Sequence, residues 1–171
     1  QSVALARQAI DAHRQESSDA GPYLVAASVG PYGAFLADGS EYRGDYTVTD
    51  RELEDFHRRR LDVLNDTDAD CLAVETIPSF REAAIIAALL ESGAKPAWMA
   101  FSCRDAGHIC DGTPITACAD ALRDHAGIFA IGINCTAPRH VGPLIAALKP
   151  RVGNKRIVVY PNAGGRYDAA R

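Results

Sequence analysis

The sequence predicts a parallel α/β fold. Five short apolar runs, near residues 24, 71, 97, 128 and 156, alternate with segments whose apolar residues recur at helical spacing. Each run ends on polar or conformationally special residues: Gly30-Pro31, Glu75-Thr76, Ser102-Cys103, Asn134-Cys135 and Tyr160-Pro161-Asn162. In parallel sheets covered by helices, such ends share one rim and open into the ligand crevice. No G-x-G-x-x-G or G-x-x-x-x-G-K-[ST] turn follows any strand, although nucleotide-binding doubly wound sheets usually carry one. Periodicity leaves two closures open. Five strands could complete a doubly wound open sheet, or they could be part of an eight-stranded barrel, which needs ~250 residues when whole.

The elements follow in order. Residues 2–15 place Val3, Leu5, Ala6, Ala9 and Ile10 at helical spacing. This helix has no strand before it and no initiator Met, which suggests an internal piece of something longer. Gly21-Pro22 breaks the helix, and residues 23–29 read as a buried strand. Residues 30–46, aromatic and punctuated by glycine, are expected to form a long functional loop. Thr49-Asp50-Arg51-Glu52 is a capping box opening a helix with Leu53, Phe56, Leu61 and Leu64 on its apolar face. His57 with Arg58, Arg59 and Arg60 reads as a surface patch on that helix. Residues 71–77 form the next strand. Ser79-Phe80-Arg81-Glu82 suggests a second capping box, opening a helix that turns Ile85, Ile86, Leu89 and Leu90 inward. Residues 97–102 are a strand, and Thr113-Pro114 predicts the start of a helix marked by Ile115, Cys118 and Leu122. Residues 127–134, Gly-Ile-Phe-Ala-Ile-Gly-Ile-Asn, form a strand buried on both faces that stops on Cys135. A helix through Val141, Leu144, Ile145 and Leu148 leads to a last strand at 156–160, closed by Pro161-Asn162-Ala163-Gly164-Gly165.

A chain of 171 residues fits one domain, and its formal charge of -4 without a basic cluster argues against nucleic acid or an anionic membrane as partner. No apolar run approaches the ~20 residues of a membrane span. Five cysteines without a small-domain framework read as reduced thiols in a cytoplasmic protein. Cys71 and Cys118 sit within apolar faces and are expected in the core. Cys103 and Cys110 flank Asp105 and His108, but that spacing fits no standard zinc pattern and reads as a solvated loop. Cys135 is the thiol best placed to face a ligand and is read as one ligand of a catalytic zinc, although a strand-end cysteine taken alone is more often an inert core thiol.

Several stretches together resemble the homocysteine S-methyltransferases. They are Ser28-Val29-Gly30-Pro31-Tyr32-Gly33-Ala34, Ala37-Asp38-Gly39-Ser40-Glu41-Tyr42-Arg43-Gly44-Asp45-Tyr46, Val74-Glu75-Thr76-Ile77-Pro78, Asp111-Gly112-Thr113-Pro114, Gly132-Ile133-Asn134-Cys135 and Val159-Tyr160-Pro161-Asn162-Ala163-Gly164. They occur in the family's order and cover essentially the whole chain. The resemblance is to the branch that uses S-methylmethionine or S-adenosylmethionine. It implies a partial (β/α)8 TIM barrel, approximately strands three to seven, with residues 1–171 as the central part of a single homocysteine-binding domain. The N-terminal strands and a C-terminal Gly-Gly-Cys-Cys segment would lie outside it.

The same resemblance implies zinc as cofactor, held by three cysteines of which only Cys135 is in this chain. It also implies homocysteine and a sulfonium methyl donor as substrates, with the chain alone inactive. Glu75 would receive the substrate ammonium group and Asn134 would orient the site or a carboxylate. Gly30 would let backbone approach a ligand, and Tyr32, with Tyr42 and Tyr46, is a candidate to pack on the sulfonium by cation–π attraction.

Overall fold

The computed structural model describes residues 1–18, 21–93 and 95–163. Five strands, β1 (Ala26–Val29), β2 (Cys71–Ile77), β3 (Ala97–Phe101), β4 (Ile128–Asn134) and β5 (Arg156–Tyr160), form one sheet. All neighbours pair in parallel, in the order β1-β2-β3-β4-β5. Each new strand therefore adds to the same growing edge. A doubly wound sheet reverses its order at a switch point, whereas a (β/α)8 barrel never does. The strand order thus decides for part of a barrel.

Helices α1 (Ser2–Glu16), α3 (Asp50–Asn65), α4 (Phe80–Glu91), α5 (Ile115–Leu122) and α6 (Pro138–Leu148) accompany the strands, and a short α2 (Tyr32–Leu36) lies inside the first loop. Among the described residues, no helix is long and apolar enough to cross a membrane. Leu72, Val74, Met99, Phe101, Ile131 and Ile133 from the sheet pack with Ile86, Leu90, Leu122, Leu144 and Leu148 from the helices, all essentially inaccessible to water. At ~25 cal/mol per Å² of apolar surface, such burial is the main force holding the layers together. Gly132 marks the tightest approach between strands: a Cβ there would lie 1.7 Å from the Val158 carbonyl oxygen on β5.

Several expectations are corrected. The first strand begins at Ala26, not at residue 23: regular pairing starts with Ala26 and Cys71, preceded by a bond from the Asp70 N–H to the Val25 carbonyl at 2.8 Å. Leu24 is accordingly 71% exposed. The Asp70 carboxylate instead caps the strand's entry, accepting the Val25 N–H at 2.7 Å. Residues 30–46 are not a plain loop, since they contain α2 and a 3-10 turn, Ser40–Tyr42. Gly33 makes that fold possible: a Cβ there would sit 2.4 Å from the Glu41 backbone nitrogen.

The Thr49–Glu52 capping box is present, with both reciprocal bonds made. The Ser79–Glu82 box is not, for Ser79 makes no side-chain cap bond and Glu82 is buried. His57 is not on a surface patch but points inward with Leu53 and Leu61, while Phe56 is only half-buried. Arg60 is half-buried too, its guanidinium 4.9 Å from the Phe56 ring centre. The helix after Thr113-Pro114 starts at Ile115, with Pro114 as its N-cap, because the Thr113 carbonyl already accepts the Ile109 N–H. Of the closing residues, Gly164 and Gly165 lie outside the described residues.

Candidate active site

The strand ends gather on one rim. β4 leaves the sheet through Cys135, whose φ of 46° is left-handed, and the facing end of β2 contains Thr76 at φ 60°. A non-glycine residue in that region is costly and marks strain, of order 1–3 kcal/mol each. Asn134, only 2% exposed, joins the two. Its Oδ1 accepts the Thr76 N–H at 2.7 Å, and its Nδ2 donates to Thr76 Oγ1 at 2.8 Å. Both groups also reach the sulfur: Thr76 Oγ1 and Asn134 Nδ2 each lie 3.4 Å from Cys135 Sγ as donors. The next residue, Thr136, ties its hydroxyl to the Cys103 N–H and the Asn134 carbonyl, and its own carbonyl accepts the Asn162 N–H.

Cys135 is half-buried and opens into a cleft of about 770 Å³. Glu41, Tyr42, Asn162 and the backbone around Ala37 and Gly39 form the other walls. Burial chiefly, then the Cys135 thiolate, pushes the Tyr42 phenol upward. A second cleft, of about 710 Å³, lies around Pro96, Ile128 and Arg156 at the opposite ends of the strands. Chemistry in parallel barrels sits on the C-terminal rim, so the first cleft is the candidate.

Glu75 lies one residue before Thr76. Its Oε1 accepts from Ser28 Oγ on β1 at 2.7 Å, and its Oε2 from Tyr160 OH on β5 at 2.8 Å. Tyr160 in turn accepts from Trp98 Nε1 of β3 at 3.0 Å. Burial first, and then the hydrogen-bonded Glu75 carboxylate and the Cys135 thiolate, hold the Tyr160 phenol protonated well above the ordinary tyrosine range. A carboxylate offers about four lone-pair sites, so two hydroxyl partners leave room for an ammonium group.

Gly30 and Tyr32 stand elsewhere. The Gly30 carbonyl accepts from Arg60 at 3.1 Å, and the Tyr32 ring packs on Phe56, Tyr46 and Phe35. Neither lines the Cys135 cleft. Tyr46 also turns away, donating its hydroxyl to Glu82.

Glu82 was the residue least visible in the sequence. Fully buried, its Oε1 accepts the Tyr32 N–H at 2.6 Å and faces His57 Nε2 at 2.7 Å. One carboxylate on α4 thereby fastens α3 and both ends of the 30–46 segment that carries Glu41 and Tyr42 to the cleft. Thr76, Ser28 and Tyr160 were likewise missed as a set, since their roles depend on residues 47 to 85 positions apart meeting at one rim.

Cys103 and Cys118 are core thiols, and burial pushes Cys103 up to about 12 and Cys118 further still. Asp105 and His108 close their own turn, with Asp105 accepting the Gly107 and His108 N–H groups. Among the described residues, no three His, Cys, Asp or Glu side chains gather closely enough to hold a metal ion. Cys135 is a donor of the right chemistry for zinc, a sulfur with hydrogen-bond donors turned toward it, but supplies only one ligand.

A family model described as Homocysteine S-methyltransferase matches residues 1–171. The chain belongs to the homocysteine S-methyltransferase family. A relative from Bacillus subtilis, homocysteine S-methyltransferase YbgG, is 51% identical over 146 residues, which is 85% of this chain and 46% of that protein. A selenocysteine methyltransferase from Astragalus bisulcatus is 43% identical over 187 residues, covering 99% of this chain and 55% of its own. The metallated form of the homocysteine methyltransferase MmuM from Escherichia coli superposes with a TM-score of 0.90 at 44% identity, over 95% of this chain and 57% of that one. The chain thus spans about half the length of the family members it matches, and that likeness agrees with the partial barrel read from strand order.

Proposed function

We propose that this chain is part of an enzyme that moves a methyl group from a sulfonium donor, S-methylmethionine or S-adenosylmethionine, to the sulfur of homocysteine, giving methionine. The observation that carries the reading is the Cys135 sulfur, half-exposed at the C-terminal end of β4 and opening into the cleft walled by Tyr42 and Asn162. Cys135 would be one zinc ligand, with its fellow ligands outside the described residues. Bound there, zinc supplies a positive charge that keeps an acceptor thiol in its nucleophilic thiolate form.

The rest falls to the chain's own residues. Glu75, with two lone-pair sites free beside Ser28 and Tyr160, receives the acceptor's ammonium group. Asn134 and Thr76 hold the Cys135 sulfur at the cleft. Tyr42 offers its ring to the cationic donor. Gly30 and Tyr32 act as supports of the 30–46 segment through Arg60 and Glu82. In the reaction a new S–CH3 bond forms as the S⁺–CH3 bond of the donor breaks. Its electron pair stays on the departing sulfur, which leaves as a neutral thioether. Such a displacement chiefly needs both partners held in contact and in line.

A selenol acceptor is the second reading, favoured by the Astragalus relative named as a selenocysteine methyltransferase. The test is methyl transfer by the full-length protein from each sulfonium to homocysteine and to selenocysteine, with zinc content measured beside Cys135→Ser. Loss of both zinc and transfer in the variant is expected. A Cys135→Ser protein that keeps its metal and its turnover would overturn the assignment.

A further inference from the structure

We infer that Thr76 is a positioning residue of the site, acting with Asn134 to hydrogen-bond the Cys135 sulfur and so to set how that sulfur binds metal. The inference rests on the reading of Cys135 as a ligand and goes beyond it.

The geometry is specific. Thr76 Oγ1 accepts one N–H of Asn134 at 2.8 Å, and so its single proton is free for Cys135 Sγ at 3.4 Å. Asn134 sends its amide to the same sulfur at 3.4 Å. The flip of the Asn134 amide is determined, because Oδ1 must accept the Thr76 N–H at 2.7 Å. Nitrogen and hydroxyl are thus both turned to the sulfur as donors, and neither is free to rotate away. Thr76 also occupies φ 60°, at a register shift between Val74 and Ile77 that interrupts the pairing of β2 with β3. A β-branched residue is among the least suited to that backbone. A strained β-branched residue makes sense where its hydroxyl, and not its backbone preference, decides the position.

Two donors on a thiolate stabilise its lone pairs and restrain its direction. They also lower the energy of the filled sulfur orbitals available to a bound metal. Partners of this kind typically alter metal affinity 10–100-fold when removed.

The experiment uses the full-length protein. Zinc affinity by competition with a chelator, and the sulfur-to-metal charge-transfer band of the cobalt(II)-substituted protein, are compared for wild type, Thr76→Val, Thr76→Ser and Asn134→Asp. Thr76→Val keeps the branched shape and removes the hydroxyl. It should weaken zinc binding about 10–100-fold and move the band to longer wavelength, while Thr76→Ser should restore both. Asn134→Asp keeps Oδ1 for the Thr76 N–H but removes the amide donor, and should weaken zinc binding even if Thr76→Val folds poorly. Unchanged affinity and band in Thr76→Val and Asn134→Asp would overturn the inference, as would equal damage by Val and Ser at position 76. Cys135→Ser separates the two claims. If it binds zinc as wild type does, the ligand reading fails; if it loses zinc while Thr76→Val and Asn134→Asp do not, this inference alone fails.

Discussion

Truncating Glu82 to Ala should be among the most damaging single changes in the chain. Its carboxylate is 0% exposed and faces three partners: the Tyr32 N–H at 2.6 Å, His57 Nε2 at 2.7 Å, and the Tyr46 hydroxyl. His57 Nδ1 is already buried without a partner among the described residues, so the ring has no second bond to fall back on. Removing one member of a buried, hydrogen-bonded pair costs about 3–5 kcal/mol, and each further orphaned donor about 1–3 kcal/mol. A loss of roughly 4 kcal/mol or more is therefore expected, on the order of a 10 °C drop in Tm. Urea unfolding of the full-length protein, followed by circular dichroism, reads the shift in midpoint at constant slope. The loss should come with faster proteolytic cutting within residues 30–46, because Glu82 fastens that segment at Tyr32 and Tyr46. Replacing Glu82→Leu together with His57→Phe should recover only the part of the loss that belongs to His57, since the Tyr32 N–H and the Tyr46 hydroxyl still lack their acceptor. A Glu82→Ala protein destabilised by less than about 1 kcal/mol would refute the reasoning.

Other outcomes follow from the same contacts. Gly132→Ala should prevent folding or drive the chain into inclusion bodies, since its Cβ would have to displace the Val158 carbonyl from 1.7 Å; soluble, wild-type-like protein would contradict this. On the proposal that Glu75 receives the ammonium group of homocysteine, Glu75→Gln should raise the KM for that acceptor in the full-length protein about 10–100-fold, with Tm little changed. Stability should fall at alkaline pH partly through Cys103. The folded protein keeps that proton up to about 12, while the unfolded chain releases it near the ordinary thiol value, so the loss begins there and grows as pH rises. Cys103→Ala should flatten that limb of a urea-midpoint-against-pH curve. In metal-free protein at neutral pH, iodoacetamide should label the half-exposed Cys135 and Cys110 before the buried Cys71, Cys103 and Cys118, as peptide mapping would report.

Strand identity was legible wherever a strand is buried on both sides. β5 also occupies its expected residues, although none of its positions is buried; β2 occupies the residues expected of it, and β4 ends on Asn134 as its apolar run does. Such strands announce themselves because every position must be apolar. The first strand was overestimated because apolar residues also precede it, and regular pairing with β2 starts only at Ala26, the Val25 N–H being taken by the Asp70 carboxylate. The two capping boxes show the limit of a local motif. Thr49–Glu52 and Ser79–Glu82 have the same spacing, yet only the first Glu stays at its own helix start. The second is drawn to His57, 25 residues away, while the buried start of its own helix is served by the Asp111 carboxylate, which accepts the Phe80 N–H at 2.7 Å.

The sequence by itself determined the parallel α/β class, the residues of the middle strands, and Cys135 as the thiol at a strand end. These follow from hydrophobic periodicity and from polar punctuation, which are properties of neighbours along the chain. Tertiary structure alone decided that the strands run in unbroken order and that Thr76 and Asn134 both turn to one sulfur. It also decided that Ser28 and Tyr160 share Glu75 and that Glu82 fastens a distant segment. Those facts depend on which donors and acceptors are brought within about 3 Å after collapse, and a buried polar group takes whichever partner is in reach, however far away it stands in the sequence.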